Sequence, residues 1–393
     1  MSGTLASDQS VHVGEERRGP LLITEDEQLL DDLLRLCAAA GALPEAVHGP
    51  PDRKGDWESA PLVIVGEDCA PRLRDAGRRP GVLLVGRDAD DSAVWRLAVA
   101  IGAERVLTLP DGERWLVDRI ADAVEDVGDP AVTVGVIGGR GGAGASSVAC
   151  ALAVTAARSG RRTVLVDGDP LGGGLDVLLG GEKEKGLRWP AFCESRGRVA
   201  CGALEESLPR LHSLRVLSWD RGAEVTIPPA AIRAVMAAAR RRGGVVVVDL
   251  PRRVDEAAAA VLAQIDVGLL LVPMELRAVA AAKRVIAGAQ RMVRDLRVVA
   301  CGGPDPHMGL DPEETARLLE LPLAGEVAWE KGLLDGLSRG VPPGSNVRGP
   351  LARFCAGFWG RALAEGDGAG PASARKAAWG GTGFGDVRGG VPG

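Results

Sequence analysis

Ten residues, Gly138 to Ser147 (GGRGGAGASS), have the composition of a loop that holds an anion. Glycines between a strand and a helix let backbone N–H groups turn toward one point, and the dipole of the following helix adds to the attraction. The phosphate-loop pattern G-x-x-x-x-G-K-[ST] adds a lysine for the outer phosphates and a hydroxyl for Mg2+. Here it reads Gly139, Arg140, Gly141, Gly142, Ala143, Gly144, Ala145, Ser146, with Ser147 next. Both end glycines and the hydroxyl are present, and Ala145 stands where the lysine belongs. A glycine turn by itself is also what a purely structural turn looks like. Downstream, however, VLVDGDP carries Asp167 and Asp169, and VVVVDLP carries Asp249. Carboxylates of this kind accompany a phosphate-bound Mg2+.

Such residues need rigid elements behind them. Val132–Gly138 reads as a strand, and the stretch after the loop as a helix closing at Gly160. RTVLVDGDP reads as the next strand, and GGVVVVDLP (Gly243–Pro251), with four consecutive valines, as a central one. VGLLLVP and LRVVACGG follow as strands, each after a helix. Upstream, PLLIT (Pro20–Thr24), PLVIVG (Pro61–Gly66), GVLLVG (Gly81–Gly86) and RVLTLP (Arg105–Pro110) read as strands among helical stretches. Continuous Val/Leu/Ile runs alternating with helices predict an α/β fold with parallel sheets covered on both faces. The expected organisation is a polar, disordered lead-in over 1–19, an α/β domain over 20–127 and a linker over 128–131. A second α/β domain follows over 132–365, then a Gly-rich disordered tail over 366–393.

The chain has 393 residues, enough for two domains, and its 46% hydrophobic content supports real cores. A net charge of −6 argues against coating nucleic acid by bulk charge. The seven cysteines form no C-x-x-C pair, which fits reduced thiols in the cytoplasm. The four histidines are isolated, so no histidine metal site is indicated. No stretch approaches the roughly 20 apolar residues of a membrane span, and MSGTLASDQS lacks the apolar run of a signal peptide.

The order of elements before residue 127 resembles a response-regulator receiver domain of the flavodoxin-like type. A receiver carries its phosphorylated aspartate at the end of the third strand. Gly66 holds that place here, with Glu67 and Asp68 just beyond. Glu25 and Asp26 match the acidic pair after the first strand, and TLP lacks the receiver's lysine. The resemblance therefore implies a degenerate receiver that docks to other proteins. Asp68 would be the acceptor only under a shifted alignment.

The second half resembles the MinD/ParA family of deviant-Walker P-loop ATPases. The family loop, K-G-G-x-G-K-[ST]-[ST], is matched by Arg140 to Ser147. Further matches are DGDPLGGGLDVLLG (Asp167–Gly180), Asp249-Leu250-Pro251 and VPMELRAVAAAKRV (Val272–Val285). With the receiver-like first domain, the closest resemblance is to the CpaE/TadZ group and its septum-site-determining Ssd branch. The resemblance implies ATP and Mg2+ as cofactors, cradled by residues 139–147. Ser146 would coordinate Mg2+, with Ser147 supporting the loop. Asp169 would help hold the metal shell, Asp249 would hold metal-bound water, and Asp167 would orient attacking water. Arg140 stands where the family's signature lysine reaches a dimer partner's phosphates, so a homodimer is implied. The missing lysine removes a charged bond, and the family's adenine-side asparagine is replaced by ACGG. The expectation is weak ATP binding and poor hydrolysis. The resemblance also implies a role in choosing the division site or in localising a pilus or secretion apparatus. The partner would be division machinery or a pilus or secretion ATPase.

Three other features have two readings each. LARFCAGFWGRALAE places Leu351, Phe354, Cys355, Phe358 and Trp359 on one helical stripe. Packing on the sheet is the favoured reading, and a peripheral contact with the inner face of the plasma membrane is the other. Arg240–Arg242 and Arg252–Arg253 read as solvated faces rather than DNA contacts. Residues 182–220 show no clear period and read as a variable insertion near the loop.

Overall fold

The computed structural model describes residues 19–363, apart from 51–53, 75, 87–91, 126–128, 196, 223–225 and 306–308. The expected disordered lead-in and tail, and the start of the expected linker, fall outside the described residues. The chain divides into two compact units, Met1–Val127 and Gly128–Gly393.

The first unit runs β1 (Leu21–Ile23), α1 (Glu27–Ala39), β2 (Glu45–Val47), α2 (Lys54–Ser59), β3 (Val63–Gly66), β4 (Val82–Gly86), α3 (Ser92–Ile101), β5 (Arg105–Thr108) and α4 (Glu113–Val124). Its five strands are parallel, in the order β2-β1-β3-β4-β5. That is the doubly wound order of receivers, whose chemistry sits where the order reverses, between β1 and β3. Between β3 and β4 the described residues hold a 3-10 turn, Ala70–Leu73, in place of a helix. β3 and β4 are buried throughout, as their unbroken Val/Ile/Leu runs require. β2 and α2 are additions to the elements expected from sequence. β2 is a three-residue edge strand, two of its residues exposed, and so carries no hydrophobic signature.

At the reversal point Asp68 folds back over Gly66. A Cβ on Gly66 would stand 2.2 Å from Asp68 Oδ1 and 2.7 Å from Thr24 Oγ1. The Thr24 hydroxyl donates to Asp68 Oδ1 (2.9 Å), and the Glu25 N–H to Oδ2 (2.6 Å). Burial pushes the Asp68 carboxyl up, but these bonds outweigh it and hold the group below its ordinary value. Asp26 is occupied as the N-cap of α1, accepting from the N–H groups of Gln28 and Leu29. Glu25 pairs with Arg72 at 2.8 Å. A carboxylate committed in this way is a poor phosphoryl acceptor. Incubation with acetyl phosphate and Mg2+ is therefore expected to leave the intact mass unchanged. A phosphorylated species that disappears in Asp68→Ala would refute this.

The second unit runs β6 (Val132–Gly138), α5 (Ala145–Arg158), β7 (Thr163–Asp167), α6 (Leu175–Leu178), α7 (Cys201–Ser207), β8 (Arg210–Leu211), β9 (Leu214–Leu217), α8 (Pro229–Arg241), β10 (Val245–Leu250), α9 (Glu256–Leu262), β11 (Val267–Pro273), α10 (Leu276–Ala289), β12 (Leu296–Cys301), α11 (Pro312–Leu319), β13 (Leu323–Val327), α12 (Leu333–Ser338) and α13 (Pro350–Leu363). The sheet order is β13-β12-β11-β6-β10-β7-β9-β8, parallel except for the β8–β9 hairpin. β10 lies between β6 and β7 and is buried at every residue, as its valines predict. α5 is buried from Val148 to Ala157. A helix apolar all round must be enclosed, and its alanines allow close packing on both sides.

α13 encloses it. Leu351, Phe354, Cys355, Phe358 and Trp359 are all buried, and the Trp359 Nε1–H donates to the Leu152 carbonyl of α5 (2.9 Å). The stripe is core, so the membrane-facing alternative for this helix is corrected. Among the described residues no helix is long and apolar enough to cross a membrane. Residues 182–220, read from sequence as a variable insertion without a clear period, hold α7, β8, β9 and a 3-10 turn at Trp189–Phe192. The β8–β9 turn is His212-Ser213, with φ of 46° and 68°. Two consecutive positive φ values mark a type I′ hairpin, usually announced by Asn-Gly. Neither residue carries that signal.

Candidate phosphate-binding site

The loop leaves the C-terminal end of β6, beside β10 and β11, and enters α5. The Gly139 N–H donates to the Leu271 carbonyl of β11 (2.8 Å), which anchors the start of the loop. Gly142 (φ 73°) and Gly144 (φ 87°) take the left-handed conformation, where a side chain would be strained. Apart from chain neighbours, no atom lies within 4 Å of where a Cβ on either would stand, so the space beside both glycines is open. α5 starts without a side-chain cap, and Val148 N–H to Gly144 O (3.0 Å) is its first turn's bond. The N–H groups of Ala145, Ser146 and Ser147 therefore have no acceptor within the helix. The half-buried side chains of Ala143 and Ala145 pack on the core beneath.

The acids arrive from neighbouring strand ends. Asp249 on β10 is in register with Asp167 on β7. Asp249 is buried beside the Ser146 hydroxyl, which favours its charged form. Burial pushes its carboxyl up to about 6, with Asp169 adding repulsion. Asp169 is half-buried and accepts from the Leu171 N–H (3.0 Å).

Asp167 is enclosed. Its Oδ2 accepts from the Leu175 N–H (3.1 Å) and the Ser218 hydroxyl (3.1 Å), and its Oδ1 from the Asp169 N–H (3.3 Å). Both Trp189 Nε1–H (2.6 Å) and Trp219 Nε1–H (3.1 Å) donate to its carbonyl. Burial, with repulsion from Asp249, raises its carboxyl to about 7. Of these partners, Trp189, Ser218 and Trp219 come from the insertion, and nothing local in the sequence points to them. Asp176 was also missed. It is fully buried, and Arg221 (2.8 Å) and Arg188 (3.1 Å) clamp its carboxylate. Burial raises that group, but the bonds and charges of Arg221 and Arg188 outweigh it and hold it low.

Arg140 pairs with Glu275 at 3.2 Å, both half exposed, while its buried Nε has no acceptor. Arg240 pairs with Asp266, Arg242 with Glu205, and Arg241 donates to the Val199 carbonyl. That basic run is held within the fold, which favours the reading without DNA.

Among the described residues no three His, Cys, Asp or Glu side chains form a metal cage. Mg2+ does not require one, because it keeps several waters and takes one or two protein oxygens beside substrate phosphates. Ser146 and Asp249 are oxygens of that kind, next to an open loop with unbonded N–H groups. The donor set fits a metal that arrives with a phosphate ligand.

The raised Asp249 carboxyl makes stability depend on pH. Its folded value, about 6, exceeds the unfolded 3.8. Its contribution is therefore complete below pH 4 and lost as pH rises through 6. Asp249→Asn removes the buried charge and keeps an acceptor for Ser146. We expect it to stabilise the protein by about 1–2 kcal/mol at pH 8, with the two forms converging below pH 4. Urea unfolding across that range checks this, and an equal gain at both ends would refute it.

Comparison with known proteins places this geometry among relatives. The family described as Rv3660c-like, CheY-like N-terminal domain matches residues 23–131. The uncharacterized protein Rv3660c of Mycobacterium tuberculosis is 37% identical over 324 residues, covering 80% of this chain and 90% of that protein. Among solved structures, a ParA family ATPase from Chlorobium tepidum TLS aligns at 16% identity and TM-score 0.50, covering 58% of this chain and 97% of its own. The MinC:MinD cell division protein complex of Aquifex aeolicus aligns at 20% identity and TM-score 0.51, covering 61% and 98%. At these identities the likeness is one of fold. The first unit is CheY-like, and the second sheet resembles the P-loop ParA/MinD fold.

Proposed function

This chain belongs to the Rv3660c-like family, and from the geometry of its loop we propose that it is a spatial regulator whose P-loop domain binds ATP weakly with Mg2+. The observation that carries the reading is the glycine turn that opens an uncapped helix start, with Ser146 beside the buried Asp249. Gly139, Gly141, Gly142 and Gly144 would form the cradle, Ser146 and Asp249 would hold Mg2+, and Asp169 would support its water shell. The bound metal would neutralise phosphate charge. The missing lysine weakens binding by about 1.5–3 kcal/mol, roughly 10- to 150-fold.

Poor hydrolysis follows from two features. No lysine stabilises charge at the outer phosphates, and the Asp167 carboxylate is already bonded to three donors. Within this reading the chain is of the CpaE/TadZ type, in its septum-site Ssd branch. It would mark the division site or localise a pilus or secretion apparatus, with division machinery or a pilus or secretion ATPase as partner. The MinC:MinD likeness supports a protein partner. Any position at the inner face of the plasma membrane would come through that partner, since the α13 stripe is buried.

The dimer would form across the loop face, with Arg140 reaching the partner's nucleotide. Its exposed pair with Glu275 contributes only about 0–1 kcal/mol and yields readily. Calorimetry and sedimentation test the proposal together. Expected results are weak, Mg2+-dependent ATP binding and nucleotide-dependent association that Arg140→Ala weakens. No binding with or without Mg2+ would leave a nucleotide-free scaffold and sink the reading. Unchanged association in Arg140→Ala would move the interface elsewhere.

A further inference from the structure

The basic pair Arg252–Arg253 has no part in the site as described so far. Arg252 lies two residues beyond β10, so its backbone sits at the same strand end as Asp249. Its guanidinium lies against the loop. A Cβ on Gly141 would stand 3.6 Å from Arg252 Nη2 and 3.7 Å from both Cζ and Nη1. Three nearly equal distances mean that the flat face of the group covers Gly141.

The other arginines of this domain discussed above have acceptors: Arg140 has Glu275, Arg240 has Asp266, Arg242 has Glu205, and Arg188 and Arg221 share Asp176. Arg252 is exposed and has no hydrogen bond or ion pair among the described residues. An uncompensated cation thus rests on the loop that lacks its lysine.

We propose that Arg252 supplies, from the same chain, the positive charge absent at Ala145, and that its ligand is the phosphate chain of a nucleoside di- or triphosphate. The inference rests on the nucleotide-binding reading above and deepens it. A guanidinium presents two parallel N–H donors to two phosphate oxygens, whereas an ammonium presents a point charge. The fork enters from the strand end beside the loop, whereas a lysine at 145 would rise from the helix start. The charge is present in a single chain, unlike the role proposed for Arg140, which needs a partner. Arg252 is thus a binding residue of the monomer, and Arg140 one of the dimer.

The test is calorimetry of ATP binding to the full chain at dilutions that keep it monomeric, with no turnover measured. Arg252→Ala is expected to weaken binding about tenfold to a hundredfold, and Arg252→Lys by less. Arg253→Ala, which removes a neighbouring exposed charge, should change it little. Ala145→Lys should tighten binding more in the Arg252→Ala background than in the natural chain, because the two cations serve the same phosphates. Equal binding by the natural chain and Arg252→Ala would overturn the inference and leave the nucleotide reading intact. An equal loss in Arg253→Ala would also overturn it, since bulk charge would then be the cause. No ATP binding by the natural chain or by Ala145→Lys would overturn the parent reading and this inference with it. Arg252 is exposed, so unfolding midpoints of the variants should match. If Arg252→Ala unfolds early, Arg252→Lys decides, and full affinity with lysine would refute the need for the fork.

Discussion

Replacing Ala145 by lysine is expected to tighten ATP binding about tenfold to a hundredfold, the value of one charged hydrogen bond. The rest of the site is in place for it. Gly142 and Gly144 take the left-handed turn, the first N–H groups of α5 have no acceptor in the helix, and Ser146 lies beside Asp249. The gain should fall toward the lower end in the natural background, where Arg252 already lies on the loop. The lysine would also sit in the first turn of α5, where the helix dipole disfavours a cation by about 0.3–1 kcal/mol. The ligand-free variant should therefore unfold slightly earlier than the natural chain and gain more on adding ATP. Calorimetry and thermal unfolding of both forms check this. Unchanged affinity would mean that the loop is already complete.

Phe358→Ala is expected to destabilise the second domain by about 3–5 kcal/mol. Phe358 is fully buried, stacked on Phe354 at 6.4 Å and edge-on to Trp359 at 5.2 Å. Trp359 in turn bonds the α5 backbone. α5 carries Ser146 at its start, so a cavity beneath it loosens the site as well as the core. The same substitution separates the two readings of this helix. A membrane-surface helix would lose vesicle binding and keep its unfolding midpoint, whereas a core helix loses the midpoint. Urea unfolding alongside vesicle co-sedimentation decides, and an unchanged midpoint would refute the core reading.

Much of this fold could be read from the chain because its signals are local. Unbroken apolar runs such as Val245–Val248 and Leu269–Val272 mark buried parallel strands, and glycines after Val132–Gly138 mark the strand-to-helix turn. The centrality of β10 followed from its four valines. β2, the β8–β9 hairpin and α2 escaped for equally local reasons. An exposed three-residue edge strand has no apolar pattern, a His212-Ser213 turn lacks the usual turn residues, and a six-residue helix is too short for a period to show.

By itself, the sequence determined the main buried strands, the glycine-rich turn after β6, the acids at the ends of β7 and β10, and the alanine where the loop pattern has lysine. Each is written in adjacent residues, where backbone preference and hydrophobic period act. The tertiary structure decided which groups meet at the loop. Ser218 reaches Asp167 across 51 positions, Trp359 reaches Leu152 across 207, and Arg252 comes to rest on Gly141 only because β10 inserts between β6 and β7. It also decided that Asp167 is enclosed rather than open to water, and that the aromatic stripe of α13 faces α5 rather than a lipid surface. The physical reason is that hydrogen bonds and burial act between surfaces in space. A sheet brings strand ends together in an order that no local stretch of chain encodes.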